Sequence, residues 1–242
     1  MSFIKYEAIN KKYQNKYALK DINIDIDRYE FVTIIGQSGS GKTTFLKMAN
    51  FLIKPTSGKI FIDGDDITSI DEIKLRRNVG YAIQGNVLFP HLTIGENISY
   101  VYDLSHKDKK TSRQIAKKWL DIIDLDQSYI DKYPNQLSGG QQQRVGIARS
   151  LADEPKIVLM DEPFGAVDAI TRSSLQDEII KLHKDLKLTI LFVTHDIKEA
   201  FKLATKVLII NEGKIEQYDS PENIQKSPNS KYVKELLEQY YE

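Results

Sequence analysis

Gly36-Gln37-Ser38-Gly39-Ser40-Gly41-Lys42-Thr43 is the stretch that decides how this chain folds. It is a complete GxxxxGK[ST] pattern. It follows the unbroken apolar run Phe31-Val32-Thr33-Ile34-Ile35 and opens a helix-compatible segment over 43–51. A run of that kind predicts a strand covered on both faces, as in the parallel sheet of an α/β protein. Between strand and helix, glycines let the backbone wrap closely around phosphate oxygens and turn successive N–H groups inward. The helix N-terminus adds a dipole of the right sign for an anion. An ordinary glycine turn is the plainer reading, but the strand–loop–helix setting is the one the phosphate pattern requires. Gly36, Gln37, Ser38, Gly39, Ser40, Gly41, Lys42, Thr43 and Thr44 are therefore the candidate nucleotide-binding residues. Lys42 is placed to reach the β- and γ-phosphates, and the Thr43 hydroxyl to ligate Mg²⁺.

Upstream of the loop, Ile22, Ile24 and Ile26 alternate with Asn23, Asp25 and Asp27, the period of a half-buried strand. Two short strands are predicted around the turn at Asp63-Gly64. Downstream, residues 86–155 change character: 109–123 and 141–152 read as helices with no strand pattern between them. Strand–helix alternation resumes after Pro155, with strands at 157–160, 189–193 and 207–210 and helices at 175–186 and 197–203. This order predicts one α/β domain over 1–242, its core in 1–85 and 156–242 and a helical subdomain in 86–155.

Composition narrows the classes. Lys plus Arg and Asp plus Glu both number 34 in 242 residues, and a net charge of +0 argues against a dedicated nucleic-acid binder. With Cys 0, disulfides, thiolate nucleophiles and cysteine zinc sites are excluded. No apolar run approaches a membrane span, and the first residues lack a signal-peptide core, which predicts a soluble intracellular protein.

Ile157-Val158-Leu159-Met160-Asp161-Glu162 supplies a second part of the same chemistry. Asp161, at the end of an apolar strand, is a candidate Mg²⁺ ligand, and Glu162 a candidate base for polarising water. Two acids after a strand are common alone; paired with the loop they read as functional. The third part is Leu137-Ser138-Gly139-Gly140-Gln141-Gln142-Gln143-Arg144. Ser-Gly-Gly before a helix is most often a simple cap, but it also makes a second anion-binding helix end.

With these three motifs in this order, the chain resembles the ATP-binding-cassette (ABC) ATPases along essentially its whole length. The resemblance implies an α/β P-loop NTPase fold, with a mainly parallel RecA-like core, an antiparallel β subdomain and a helical subdomain carrying the signature. It implies that Gln84 is the Q-loop glutamine, touching Mg²⁺ and the attacking water. His195 becomes the switch histidine at the γ-phosphate, Asp168 the D-loop aspartate, and Tyr13 the residue that stacks on adenine, with Tyr17 as a weaker candidate. His91, His106 and His183 remain structural. The D-loop reads Gly165-Ala166-Val167-Asp168 where Ser-Ala-Leu-Asp is commoner, and Gln37 stands where many relatives have proline. Family members dimerise head to tail, so that Ser138, Gly139, Gly140 and Gln141 of one subunit close on ATP held by the other. ATP and Mg²⁺ are the implied cofactors.

The run from Gln84 to Ile98 is similar to importer cassettes, in which permease subunits dock here. Val87, Leu88 and Phe89 are equally readable as docking surface or as core of the helical subdomain. Leu46-Lys47-Met48-Ala49-Asn50, the stretch from Leu75 to Gln84 and that from Asp161 to Arg172 look most like osmoprotectant importers for glycine betaine, carnitine or choline. A polar amino-acid importer is the alternative, and a soluble non-transport ABC ATPase a distant one; a P-loop kinase has no use for LSGGQ. Residues 221–242 are expected to lie beyond the core and to be too short for the paired regulatory modules of many such relatives. The resemblance implies a peripheral subunit on the cytoplasmic face of the membrane, working with a permease and indirectly a substrate-binding protein, with no nucleic-acid partner. Lys107, Lys109, Lys110, Arg113, Lys117 and Lys118 read as a solvated helix face, with lipid headgroups as the other option.

Overall fold

The computed structural model describes residues 2–83, 85, 88–106, 108–165 and 167–241, with the backbone alone at 105 and 239–241. In chain order its elements are β1 (Ile4–Tyr13), β2 (Lys16–Ile26), β3 (Phe31–Ile35), α1 (Lys42–Met48), β4 (Ser57–Ile62), β5 (Asp65–Asp66) and α2 (Glu72–Arg77). Then come β6 (Val79–Ala82), α3 (Ile94–Ser105), α4 (Lys109–Ile122), α5 (Gly139–Leu151), β7 (Ile157–Asp161) and α6 (Ala169–Asp185). The chain closes with β8 (Thr189–Val193), α7 (Ile197–Leu203), β9 (Lys206–Asn211), β10 (Lys214–Asp219), α8 (Pro221–Lys226) and α9 (Lys231–Tyr241). Backbone contacts divide it into two compact units, Met1–Asn78 with Leu188–Glu242, and Val79–Lys187.

The first unit holds two sheets. One is antiparallel, in the order β2-β1-β4-β5. Its alternation is the predicted one: Ile22, Ile24 and Ile26 are buried while Asn23 and Asp25 face water. The other places β3 between β8 and β9, parallel to both, with β10 antiparallel on β9. All five residues of β3 and of β8 are buried, as an unbroken apolar run requires when both faces are covered. Phe31 pairs with Ile190 and Ile35 with Ile209, so the register fixes where Gly36 emerges.

The segment from Pro221 onward was expected outside the core and lies within it. Ile224, Val233, Leu236 and Leu237 pack with Ile35, Phe201, Val207 and Ile209. The spacing of Val233, Leu236 and Leu237 puts one apolar stripe on α9. Burying each such side chain is worth about 1.5–3 kcal/mol, which ties the helix to the sheet.

In the second unit β6 and β7 pair in parallel, Tyr81 against Leu159 and Ala82 against Met160. Helix α3, which the sequence reading did not separate from its surroundings, begins with a capping box in which Thr93 and Glu96 satisfy each other's backbone N–H groups. Trp119 and Leu120 of α4 are fully covered, while Arg113 and Lys118 pair with Asp131 and Glu154 on the exposed side. Leu88 is buried, and the Phe89 ring lies against Tyr100 and under the Arg149 guanidinium, so both belong to the packing of this unit. Val87 lies outside the described residues.

Candidate functional site

The phosphate loop takes its shape from two close approaches that admit no side chain. Gly36 has φ 148°, and a Cβ there would lie 2.0 Å from the Ile210 carbonyl oxygen. Gly41 has φ 109°, and a Cβ there would lie 2.5 Å from the carbonyl oxygen of Ala18. These contacts seat the loop on β9 at one end and on β2 at the other, and α1 starts directly from Gly41 with no side chain capping its first N–H groups. No acidic residue occupies the first turn of α1, so nothing in the helix itself neutralises the positive end of its dipole.

Two polar side chains of the loop are buried. Ser40 is buried, and its Oγ has no hydrogen-bond partner. An orphaned buried hydroxyl is costly unless something fills the loop, and phosphate oxygens are acceptors suited to it. Lys42 is also buried, its ammonium donating at 2.8 Å to the carbonyls of Gly36 and Gln37. Thr43 and Thr44 follow, half-buried, on the first turn of α1.

His195 comes from the end of β8 and is exposed. Thr194 and Asp196 hold its turn: the Asp196 N–H donates to the Thr194 hydroxyl, and the Asp196 carboxylate caps α7 at Glu199. A cavity of about 290 Å³ is lined by Gly36, Gln37 and Ser38, by His195, and by Tyr232 and Glu235 of α9. The structure therefore brings the switch-histidine candidate to the phosphate loop. Tyr13 and Tyr17 sit at the β1–β2 hairpin, both exposed, with the Lys11 and Lys12 ammonium groups over their respective rings. Tyr17 adjoins Ala18, the residue against which Gly41 packs.

In the second unit, β7 ends at Asp161, a buried carboxylate. Glu162 follows with φ 48°, a left-handed backbone that stops the strand. Burial, and next the Asp161 carboxylate, push the Tyr81 phenol well above its ordinary range. Asp168 caps α6, accepting from the Thr171 N–H at 3.0 Å, and its backbone hydrogen bonds there hold the carboxyl below the usual range. Gln84 lies outside the described residues. Among the described residues no cluster of three or more His, Cys, Asp or Glu could hold a metal ion by itself.

Ser138 caps α5 in a closed box: its Oγ accepts from the Gln141 N–H, and its own N–H donates to Gln141 Oε1 at 2.9 Å. Ser138 is exposed, and the first turn again holds no acid. Behind it the long side chains brace the loop. Gln142 donates to the Pro134 and Leu137 carbonyls, and Arg144 to those of Ile123 and Asp124.

The pattern of the ABC transporter family matches residues 19–165. The chain belongs to the ABC transporter family. It is 48% identical, over 97% of its length, to the carnitine transport ATP-binding protein OpuCA of Listeria monocytogenes, covering 59% of that relative. It is 40% identical, over 97% of its length, to the glycine betaine uptake system ATP-binding protein YehX of Escherichia coli, covering 76% of it. Among solved structures it is similar to the ATP-binding cassette MJ0796, described as a dimer in a post-hydrolysis state bound to ADP and Pi. That match has a TM-score of 0.83 at 35% identity and covers 90% of this chain and 98% of the other. The chain spans 59% to 62% of the length of the first curated relatives it matches. Its fold is the P-loop fold of ABC cassettes, an antiparallel sheet beside parallel strands and helices. Among the described residues no helix is long and apolar enough to cross a membrane.

Sequence reasoning missed one feature at the loop of this ABC cassette. The N–H of Gln37 donates to the Tyr232 hydroxyl at 3.0 Å. A helical stripe at Val233, Leu236 and Leu237 was there to be read, but nothing local names its target.

Proposed function

We propose that the chain is the ATP-binding and ATP-hydrolysing subunit of an ABC importer, energising uptake of a small osmoprotectant of the quaternary-amine class, such as glycine betaine, carnitine or choline. The observation that carries the nucleotide part is the phosphate loop with its orphaned Ser40 hydroxyl and its uncapped, acid-free helix end. The solute class is supported by the relatives' names and by the motif resemblance around Leu46–Asn50 and 161–172.

In this reading the α1 N–H groups and Ser40 cradle the phosphates, and the Lys42 ammonium leaves the Gly36 and Gln37 carbonyls to follow the β- and γ-oxygens. Glu162 polarises the attacking water, and His195 donates to the terminal phosphate. Thr43, Asp161 and Gln84 are the residues assigned to Mg²⁺, which when bound neutralises charge on the phosphate oxygens. Tyr13 stacks on the adenine. Ser138, Gly139, Gly140 and Gln141 act on ATP held by a second copy in a head-to-tail homodimer, with Asp168 in the D-loop between them. The dimer works at the cytoplasmic face of the membrane with permease subunits, and a substrate-binding protein selects the solute. The residue roles follow from the family pattern and from the chemistry of each side chain.

The test has two arms. ATP is titrated into the purified chain by calorimetry, with saturable binding expected and no heat of binding contradicting the nucleotide assignment. The chain is then reconstituted in vesicles with the permease and binding protein encoded beside it. ATP-dependent uptake of radiolabelled glycine betaine or carnitine supports the solute class; uptake of polar amino acids alone moves it to the other importer group.

A further inference from the structure

We propose that Tyr232 is a positioning residue for the phosphate loop: the hydroxyl it carries on α9 fixes the peptide on which Lys42 rests, and so sets nucleotide affinity from the C-terminal helix. The inference deepens the ATP-binding reading and rests on it.

Gly36 and Gln37 form a short segment gripped from two sides. Their carbonyls accept from the Lys42 ammonium, both at 2.8 Å. The N–H of Gln37 donates to Tyr232 Oη at 3.0 Å. When Lys42 turns to a phosphate, those carbonyls lose a charged donor and the segment is freed on that side. The Tyr232 contact is then what keeps the loop in register. The anchor behind it is firm, because Val233, Leu236 and Leu237 of α9 pack with Ile35, the residue immediately before Gly36. A Cβ on Gly36 would meet the Ile210 carbonyl at 2.0 Å, so the loop is also backed by β9.

The hydroxyl is not needed to hold the fold. Gln37 is exposed, and water would serve its N–H if Tyr232 did not. The apolar grip of α9 comes from its neighbours on the stripe, not from an oxygen. What the oxygen adds is direction, since it fixes one peptide of the loop. Burial raises the Tyr232 phenol above its ordinary range. The same helix supplies Glu235 and Leu236 to the cavity shared by Gly36, Gln37, Ser38 and His195, so α9 forms a wall beside the loop.

The experiment compares the full chain with Tyr232→Phe, which keeps the ring and removes the oxygen. Amide hydrogen exchange at Gln37 is followed by NMR, and MgATP binding and turnover are measured on the same samples. The Gln37 amide should exchange about 3–10-fold faster in the variant, as expected for loss of one hydrogen bond. The Kd and KM for ATP should rise about 3–10-fold, with kcat at saturating ATP and the thermal midpoint unchanged. A merely structural role would lower the midpoint and leave that split absent. The proposal is overturned if Gln37 exchanges at the unprotected rate in the unaltered chain, or if the variant binds ATP as tightly as the unaltered chain does. Should the unaltered chain bind no ATP, the functional reading falls. The exchange arm then still decides whether Tyr232 holds the loop.

Discussion

Two helices of this chain start from glycine-rich turns with no acid in the first turn, and they solve the same problem in opposite ways. The first turn of any helix leaves N–H groups without partners. At α5 the chain satisfies two of them itself, through the Ser138–Gln141 capping box. At α1 it does not: Gly41 offers no side chain, and the buried Ser40 hydroxyl has no partner. An end that is complete alone is stable alone, and engages an anion only by rearranging its cap. An end with no side-chain cap leaves room for an anion to take that place. The contrast supports the proposal that α1 holds the phosphates tightly and that α5 makes a contact that forms and breaks.

The sharpest separation of binding from chemistry is Glu162→Gln. Loss of a positioned base should slow ATP hydrolysis by about 10²–10⁴-fold while ATP affinity at the α1 end is kept, as read by phosphate release and calorimetry side by side. Lys42→Ala should weaken ATP binding by about 10–100-fold, the worth of charge-assisted contacts, whereas no change would remove the α1 loop as the tight site. Gly41→Ala asks whether that loop needs its close approach. With φ 109° and the Ala18 carbonyl in the way, a loss of at least about 1–2 kcal/mol in denaturant unfolding is expected. Ser138→Ala removes half of the α5 box and should cost about 1 kcal/mol while leaving ATP binding by the monomer as it was. If this last variant weakened ATP binding as much as Lys42→Ala, the two helix ends would not differ as described.

Much of this was legible in local sequence. β3, β8 and α7 fall where the apolar runs and period put them, because a strand covered on both faces must be apolar throughout. Both glycine turns could be found by pattern, and at Gly36 and Gly41 close backbone approach leaves no other residue type. Helix α3 carried its own start signal in Thr93 and Glu96, but the mixed stretch before it hid the boundary. The Asp168 carboxylate has a local role as well, as the cap of α6. What could not be read was what the C-terminal segment packs against. Val233, Leu236 and Leu237 show a stripe, yet their partners Ile35, Val207 and Ile209 come from strands elsewhere in the chain. The contact between Gln37 and Tyr232 spans 195 positions and depends wholly on that packing.

The central proposal is that the α1 end and the self-capped α5 end act on one ATP across two copies of the chain. Sedimentation velocity of the Glu162→Gln protein, with and without MgATP, tests it most directly when run beside the same protein carrying Ser138→Arg. The account predicts an ATP-dependent dimer for Glu162→Gln and a monomer, still binding ATP, once Ser138→Arg is added. A protein that stays monomeric with ATP, or one in which Ser138→Arg dimerises equally well, would contradict it.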